Sequence, residues 1–406
     1  MYNVYDIRKD FPILNETIGE KPVVYLDTCA SAQKPLCVIE KIKNIYLKSY
    51  ANIHRGKYRF AEIITSEYEN ARKIVQQFIN AKLSSEIVFT RNATESINLV
   101  ASCWAKNNLK KNDEILISEA EHHANIIPWQ NVCQITGAKL IVFKITDNGD
   151  FDENDFLNKL SEKTKLVAVT AMSNVLGTIF PIKTICEKAK NIGAKVLIDA
   201  CQYIVHDKVD VQQLDCDFLA FSAHKTYGPT GVGVLYGKNE ILNDMPPYQF
   251  GGDMVDTVTF EKTTYTEAPA RFEAGTPASV QAIGLGEALK YMQNLGLENI
   301  NAHEKIITEY MQNKLNEIPA IKIIGNAKNK GGVFSFALGN IHPQDLAFIL
   351  NKENIAIRTG HHCAQPIVNR MGYNSLARAS VGLYTSKEDI DNFIVALLKA
   401  EKFFRD

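Results

Sequence analysis

Short apolar runs recur along the first half of the chain with longer, mixed segments between them. Glu86-Ile87-Val88-Phe89, Glu114-Ile115-Leu116-Ile117, Lys139-Leu140-Ile141-Val142, Leu166-Val167-Ala168-Val169, Lys195-Val196-Leu197-Ile198 and Phe218-Leu219-Ala220-Phe221 each have the length of a buried strand. Several of the intervening segments carry helical spacing, and Ala61 to Phe78 places its charged residues on the outer positions. Strands alternating with helices require crossover connections, so the pattern predicts an α/β fold with a mostly parallel sheet between helices. An earlier strand, Val23-Val24-Tyr25-Leu26, follows a short helix and loop and ends at Asp27-Thr28-Cys29-Ala30-Ser31.

From Gly284 to Leu315 the period is helical, which predicts one long helix leading into a smaller α+β C-terminal domain. That domain has strands at Ile321-Lys322-Ile323-Ile324, Val333-Phe334-Ser335-Phe336 and Ile355-Ala356-Ile357-Arg358, and a last helix from Lys387 to Phe404. Asn326 to Gly332 reads as a surface turn within it. The expected division is a large domain over 20–290 and a smaller one made of 1–19 and 291–406.

Composition narrows the function classes. The 406 residues carry a formal net charge of -1 with no basic block, which argues against nucleic acid as a partner. No apolar run approaches membrane-spanning length and no leader pattern opens the chain, so a cytoplasmic protein is expected. The eight cysteines are scattered without a C-x-x-C pair, which gives a zinc ribbon no support.

Ligands of open α/β sheets collect at the carboxyl ends of the strands, and here those ends are polar. Phe218 to Phe221 runs into Ser222-Ala223-His224-Lys225 and a Gly-rich turn. A lysine so placed is either an ordinary surface lysine after a strand, the commoner case for this motif alone, or one positioned to lose its proton and attack a carbonyl, as in the holding of pyridoxal phosphate. Lys195 to Ile198 runs into Asp199-Ala200-Cys201-Gln202, where Asp199 is either a helix cap or the partner of a protonated pyridine nitrogen. Asn92-Ala93-Thr94-Glu95 is a capping box whose first-turn amides, with the Thr94 hydroxyl, would also suit a phosphate. Glu121-His122-His123 lacks the i, i+4 spacing of helical metal sites, and a ring stacked on an aromatic cofactor is the alternative. Finally, Cys363 sits in a polar, Gly-containing loop, with Arg378 able to pair with a substrate carboxylate; an ordinary loop cysteine and a surface arginine fit the same residues.

Taken together, Ser222-Ala-His-Lys225-Thr-Tyr-Gly-Pro-Thr-Gly, Glu121-His-His-Ala-Asn125, Asn174-Val-Leu-Gly-Thr178, Arg271-Phe-Glu-Ala-Gly-Thr-Pro277 and Arg358-Thr-Gly-His-His-Cys-Ala-Gln-Pro366 resemble the SufS-type cysteine desulfurases. These are pyridoxal phosphate enzymes of the class V aminotransferase group with fold type I, and the resemblance runs from about residue 20 to 395.

It implies that Lys225 carries the cofactor, Asp199 pairs with its ring nitrogen, Gln202 bonds the ring oxygen and His122 stacks on the ring. Thr94, Ser222 and His224 would hold the phosphate, with Thr276 reaching that of the partner in a homodimer. Asn174 and Arg378 would bind the substrate carboxylate end, with Arg358 close by, and Cys363 would be the nucleophile. The implied activity converts L-cysteine to L-alanine and leaves a persulfide on Cys363 for an acceptor protein of the SufE or SufU type, serving iron-sulfur cluster assembly. Selenocysteine lysis, or another lyase or transaminase reaction on the same lysine, is the alternative within the same chemistry, and a non-catalytic sulfur-transfer scaffold is the alternative outside it. Ala93, Ala223 and Cys29 depart from residues common in the family, and none removes a catalytic group.

Overall fold

The computed structural model of the chain describes residues 2–405. Seven strands form the central sheet: β1 (Ile87–Thr90), β2 (Glu114–Ser118), β3 (Lys139–Phe143), β4 (Thr164–Thr170), β5 (Lys195–Asp199), β6 (Phe218–Ser222) and β7 (Gly233–Gly237). Their order is β1-β7-β6-β5-β4-β2-β3, and β7 alone runs antiparallel to its neighbours. Because β5 and β6 are buried along almost their whole length, they read as continuous apolar runs instead of alternating ones. The six co-directional strands end at one edge, so Thr90, Ser118, Thr170, Asp199 and Ser222 open onto common ground.

Helices cover this sheet. Arg59–Phe78 buries Ala61, Ile64, Tyr68, Ala71, Val75 and Phe78 on one face and packs against Ser279–Leu295, which also holds Leu36–Lys48. The long helix expected from Gly284 to Leu315 is two helices, Ser279–Leu295 and Leu297–Asn316, because Gly296 between them takes φ 84° and turns the chain.

A second, antiparallel sheet contains β8 (Ile321–Ile324), β9 (Val333–Leu338), β10 (Arg358–Gly360) and β11 (Leu376–Ser380), in the order β8-β9-β11-β10. The strand expected over Ile355 to Arg358 is divided. Ile355–Ala356 pairs in parallel with Val24–Tyr25, and Arg358 begins β10. Val24 and Leu26 therefore pack with Phe334, Phe336 and Phe393 in the smaller core, whereas Ile7, Phe11 and Leu14 pack into the larger one. Both N-terminal stretches thus cross the boundary expected at residue 20. The consequence for the site is direct, since Asp27 to Ala30 is laid across the junction of the two cores.

A short hairpin, Val255–Val258 with Thr263–Tyr265, projects from the body with Val258 and Phe260 exposed at its tip. No described helix is long and apolar enough to cross a membrane.

Candidate active site

At the carboxyl edge of the central sheet lies a cavity of about 250 Å³. Of the sequence-predicted residues, Thr94, His122, Asn174, Asp199, Gln202, Ser222, His224, Lys225, Arg358, Cys363 and Arg378 all line it. Thr276 does not. It lies on a separate cavity with Arg91, Glu95 and Tyr248.

The floor comes from strand ends. Ser222 closes β6, and the chain then makes a single tight turn over Ala223–Lys225 that carries His224 and Lys225 to the cavity wall. Asp199 closes β5 at 5% exposure, and among the described residues the one hydrogen bond to its carboxylate comes from the Cys201 amide, 3.0 Å away. A carboxylate buried this far without a cation is costly, which marks the place for a positively charged ring nitrogen. Gln202 donates through Nε2 to the Cys29 carbonyl at 2.9 Å, so its Oε1 remains available for a further donor.

Helix Ala93–Leu99 starts beside Lys225. Asn92 caps it by accepting from the Glu95 amide at 2.9 Å, and the Ala93 amide donates to Ser222 Oγ at 2.8 Å. The Thr94 amide and hydroxyl are left facing the cavity. A Cβ at Gly233 of β7 would meet Asn92 Cα at 2.5 Å, so only glycine lets this helix start close so tightly on the sheet.

His122 owes its position to a buried network. Glu121, fully buried, accepts from Ser118 Oγ at 2.5 Å, Asn125 Nδ2 at 2.7 Å and the Thr170 amide at 3.0 Å, and burial raises its pKa to about 8. Asn125 is pinned in turn by Trp129 Nε1. The His122 Nδ1 accepts from the Ala124 amide at 3.0 Å, which leaves the ring face toward the cavity.

On the opposite wall, Arg378 of β11 is 3% exposed. It donates to the Asn174 carbonyl at 2.8 Å and reaches Asp27 at 3.5 Å, while its Nε is a buried donor without a partner among the described residues. Arg358 pairs with both oxygens of Asp27, the closest contact being 2.9 Å. Two guanidinium groups against one carboxylate leave a net positive end to the cavity, suited to a substrate carboxylate. Asn174 Nδ2 donates to the His362 carbonyl at 2.7 Å, and Cys29 donates its thiol to the Asn174 carbonyl at 3.5 Å. Asp27 and Glu121 escaped sequence reasoning because one looked like a strand end and the other like the flank of a histidine pair. The Arg271 segment serves the frame, with Arg271 bonded to the Thr266 and Asn243 carbonyls and Glu273 paired with buried Arg72 at 2.7 Å.

Cys363 is the one exposed cysteine of the eight. It lines both this cavity and a more apolar outer pocket of about 470 Å³ walled by Ile127, Pro128 and Ala101. His362 and Cys363 hold φ of 53° and 56°, left-handed values that cost β-carbon-bearing residues energy.

The histidines of the site are held neutral. Burial, with Lys225 next, brings His122 to about 4; burial, then Lys225 and Lys34, does the same for His224; burial, then Arg378, takes His362 to about 3. An unfolded chain binds these protons near pH 6.5, whereas the folded chain refuses them until lower pH. Stability is thus fully present above about pH 6.5 and falls toward pH 4, each withheld proton adding about 1.4 kcal/mol per pH unit. Melting of the cofactor-free protein is expected to drop across that window, and His362→Leu to lessen the slope by about a third. An unchanged slope in the variant would contradict the assignment.

A buried carboxylate awaiting a cation, a lysine on a tight turn, an imidazole face and a helix start with unused donors are the donor set that pyridoxal phosphate requires, and these residues fit it. Comparison with known proteins agrees. The family model described as Aminotransferase class-V matches residues 24–393. A cysteine desulfurase of Dickeya dadantii is 46% identical over 98% of this chain and 96% of its own length. One from Synechococcus elongatus is 46% identical over 98% of this chain, which spans only 64% of that protein. The apo structure of a cysteine desulfurase from Thermococcus onnurineus superposes with a TM-score of 0.94 at 39% identity, covering 98% of both chains. The chain belongs to the class V aminotransferase family, among its cysteine desulfurases.

Proposed function

We propose that this chain takes sulfur from L-cysteine, releases L-alanine and holds the sulfur as a persulfide on Cys363. The observation that carries this reading is the position of Cys363, the only exposed cysteine, on the wall of the cavity that Lys225, Asp199 and Arg378 also line.

Lys225 would hold the cofactor's aldehyde, Asp199 its ring nitrogen, Gln202 its ring oxygen and His122 its face, with Thr94, Ser222 and His224 at the phosphate. Bound there, pyridoxal phosphate supplies an electron sink for the charge left on the substrate carbon. Arg378 and Asn174, with Arg358 behind them, orient the substrate carboxylate. The Lys225 amine moves the α-proton of the substrate. The Cys363 thiolate attacks the substrate sulfur; the S–S bond forms as the C–S bond breaks, and the remaining three-carbon unit leaves as alanine after taking up protons.

A homodimer suits this reading. The exposed apolar hairpin tip at Val258 and Phe260 is a surface a second copy would cover, and Thr276, apart from the cavity in its own chain, would serve the partner's phosphate. The acceptor would be a protein of the SufE or SufU type, approaching through the outer pocket beside Cys363, with iron-sulfur cluster assembly as the destination. A cytoplasmic location goes with that role. The proposed domains are 20–290 and 1–19 with 291–406; the presence of a larger and a smaller core supports a two-part division, and the boundary-crossing stretches described above depart from it.

The test is production of alanine and sulfide from L-cysteine, with and without added acceptor proteins. Equimolar alanine and sulfur, accelerated by one acceptor, is expected. Turnover of selenocysteine alone would overturn the substrate.

A further inference from the structure

We infer that His123 is a positioning residue that clamps the nucleophile loop directly after Cys363, holding it on either side of Ala364. The inference rests on the reading of Cys363 as the sulfur acceptor. Neither the His123 ring nor the Gln365 amide enters the assignments above, yet His123 makes two hydrogen bonds to the loop immediately after the thiol-bearing residue. Its amide donates to the Cys363 carbonyl at 2.7 Å, and its ring Nε2 accepts from the Gln365 amide at 3.0 Å. The two contacts join the central sheet's edge to a loop some 240 positions later in the chain. Directly before them, His362 and Cys363 are held at positive φ, a shape the loop would relax without an external hold.

The geometry sets the protonation state. An Nε2 that accepts from an amide carries no proton, so the ring is the neutral tautomer with its hydrogen on Nδ1. Its surroundings favour that form. His361 of the loop, the adjacent His122 ring with its centroid 6.3 Å away, and Lys106 and Cys363 on the outer pocket are titratable groups around it. Among the described residues lining that pocket none is a carboxylate, and burial, then His361, lowers its pKa. Protonation would turn the acceptor into a donor facing a donor, and the loop would lose one of its two holds.

The experiment compares wild-type holoenzyme with His123→Ala and His123→Gln, glutamine because its Oε1 offers an acceptor near the Nε2 position. Three readouts are taken: kcat against KM for L-cysteine, cofactor absorbance, and the hydrogen-exchange protection of the Gln365 amide as a function of pH. His123→Ala is expected to lower kcat about 10-fold or more with KM and absorbance little changed, since a loosened nucleophile loses near-attack geometry but not substrate binding. Its Gln365 amide should lose protection, and His123→Gln should recover most of both. In the wild type that protection should fall in acid, at a pH below the ordinary imidazole range because the His123 pKa is lowered, while in His123→Gln it stays level.

Wild-type kcat in His123→Ala, unaltered Gln365 protection, or a glutamine variant as slow as alanine each overturns the clamp. Should His123→Ala not fold, the pH dependence of Gln365 protection in the wild type against His123→Gln decides alone. Cys363→Ser run alongside separates the two readings. If it turns over normally, the nucleophile assignment fails and the clamp with it; if it is inactive and His123→Ala is not slowed, only the clamp fails.

Discussion

Cys363→Ser is expected to abolish sulfur release from L-cysteine, by about 10³-fold or more, while the protein still binds its cofactor. The separation follows from where the thiol sits. Cys363 is on the loop wall of the cavity, whereas Asp199, Ser222, His224 and Lys225 occupy the strand ends below. Among the described residues, no hydrogen bond from the Cys363 side chain supports any of them; the residue is tied to the site through its backbone carbonyl, which accepts from the His123 amide. A serine oxygen is a poor nucleophile toward sulfur and is not appreciably ionised at neutral pH, so the reaction stops at sulfur transfer. Absorbance in the visible range, measured beside alanine production, checks both halves. Retained sulfide release would remove the nucleophile from this position. Loss of cofactor absorbance would mean that the loop holds the cofactor as well.

Lys225→Ala should cost at least as much, for a different reason. In the proposed reading the lysine is both the covalent anchor and the base, and a positioned general base alone is worth about 10²–10⁴-fold. Its turn is fixed from below by the Ser222 hydroxyl on the Ala93 amide, and from the side by the Ala32 amide on the His224 carbonyl, 2.8 and 3.0 Å respectively. Truncation to alanine therefore removes an amine from a frame that stays in place. Borohydride reduction followed by peptide mapping checks this, with the cofactor fixed on the Lys225 peptide in the wild type and on no peptide in the variant. Another lysine labelled in the wild type would contradict the placement.

Much of this architecture could be read from residues alone, because the parts that matter obey local rules. β5 and β6 are buried on both faces, so their apolar runs stand out, and each ends in the side chain it presents. Asn92 with Glu95 declares a helix start through the capping pattern, and the start is there. What stayed hidden depends on long-range contacts. Val24–Tyr25 looks like any short strand, and nothing local says that its partner is Ile355–Ala356 in the smaller core. Asp27 becomes the shared counter-ion of Arg358 and Arg378 only once that pairing brings it to the junction.

The broken helix at Gly296 was overlooked for another reason. A lone glycine inside a helical period is tolerated often enough that its positive φ shows only in three dimensions. The hairpin Val255–Val258 with Thr263–Tyr265 has neither an apolar run nor a tight two-residue turn, and so gave no signal. His123 was overshadowed by its neighbour: in a His-His pair the ring that lines the cavity draws the eye, and the one on the loop is found only through Gln365.

The central claim is that one sulfur atom moves from substrate to the thiol at position 363. Holoenzyme given one equivalent of L-cysteine, quenched without reductant and digested, answers it by mass. The account predicts a gain of a single sulfur on the peptide bearing Cys363, with the peptides of the other seven cysteines unchanged. Sulfur found on Cys29 or elsewhere, or alanine formed with no sulfur retained by the protein, would contradict it.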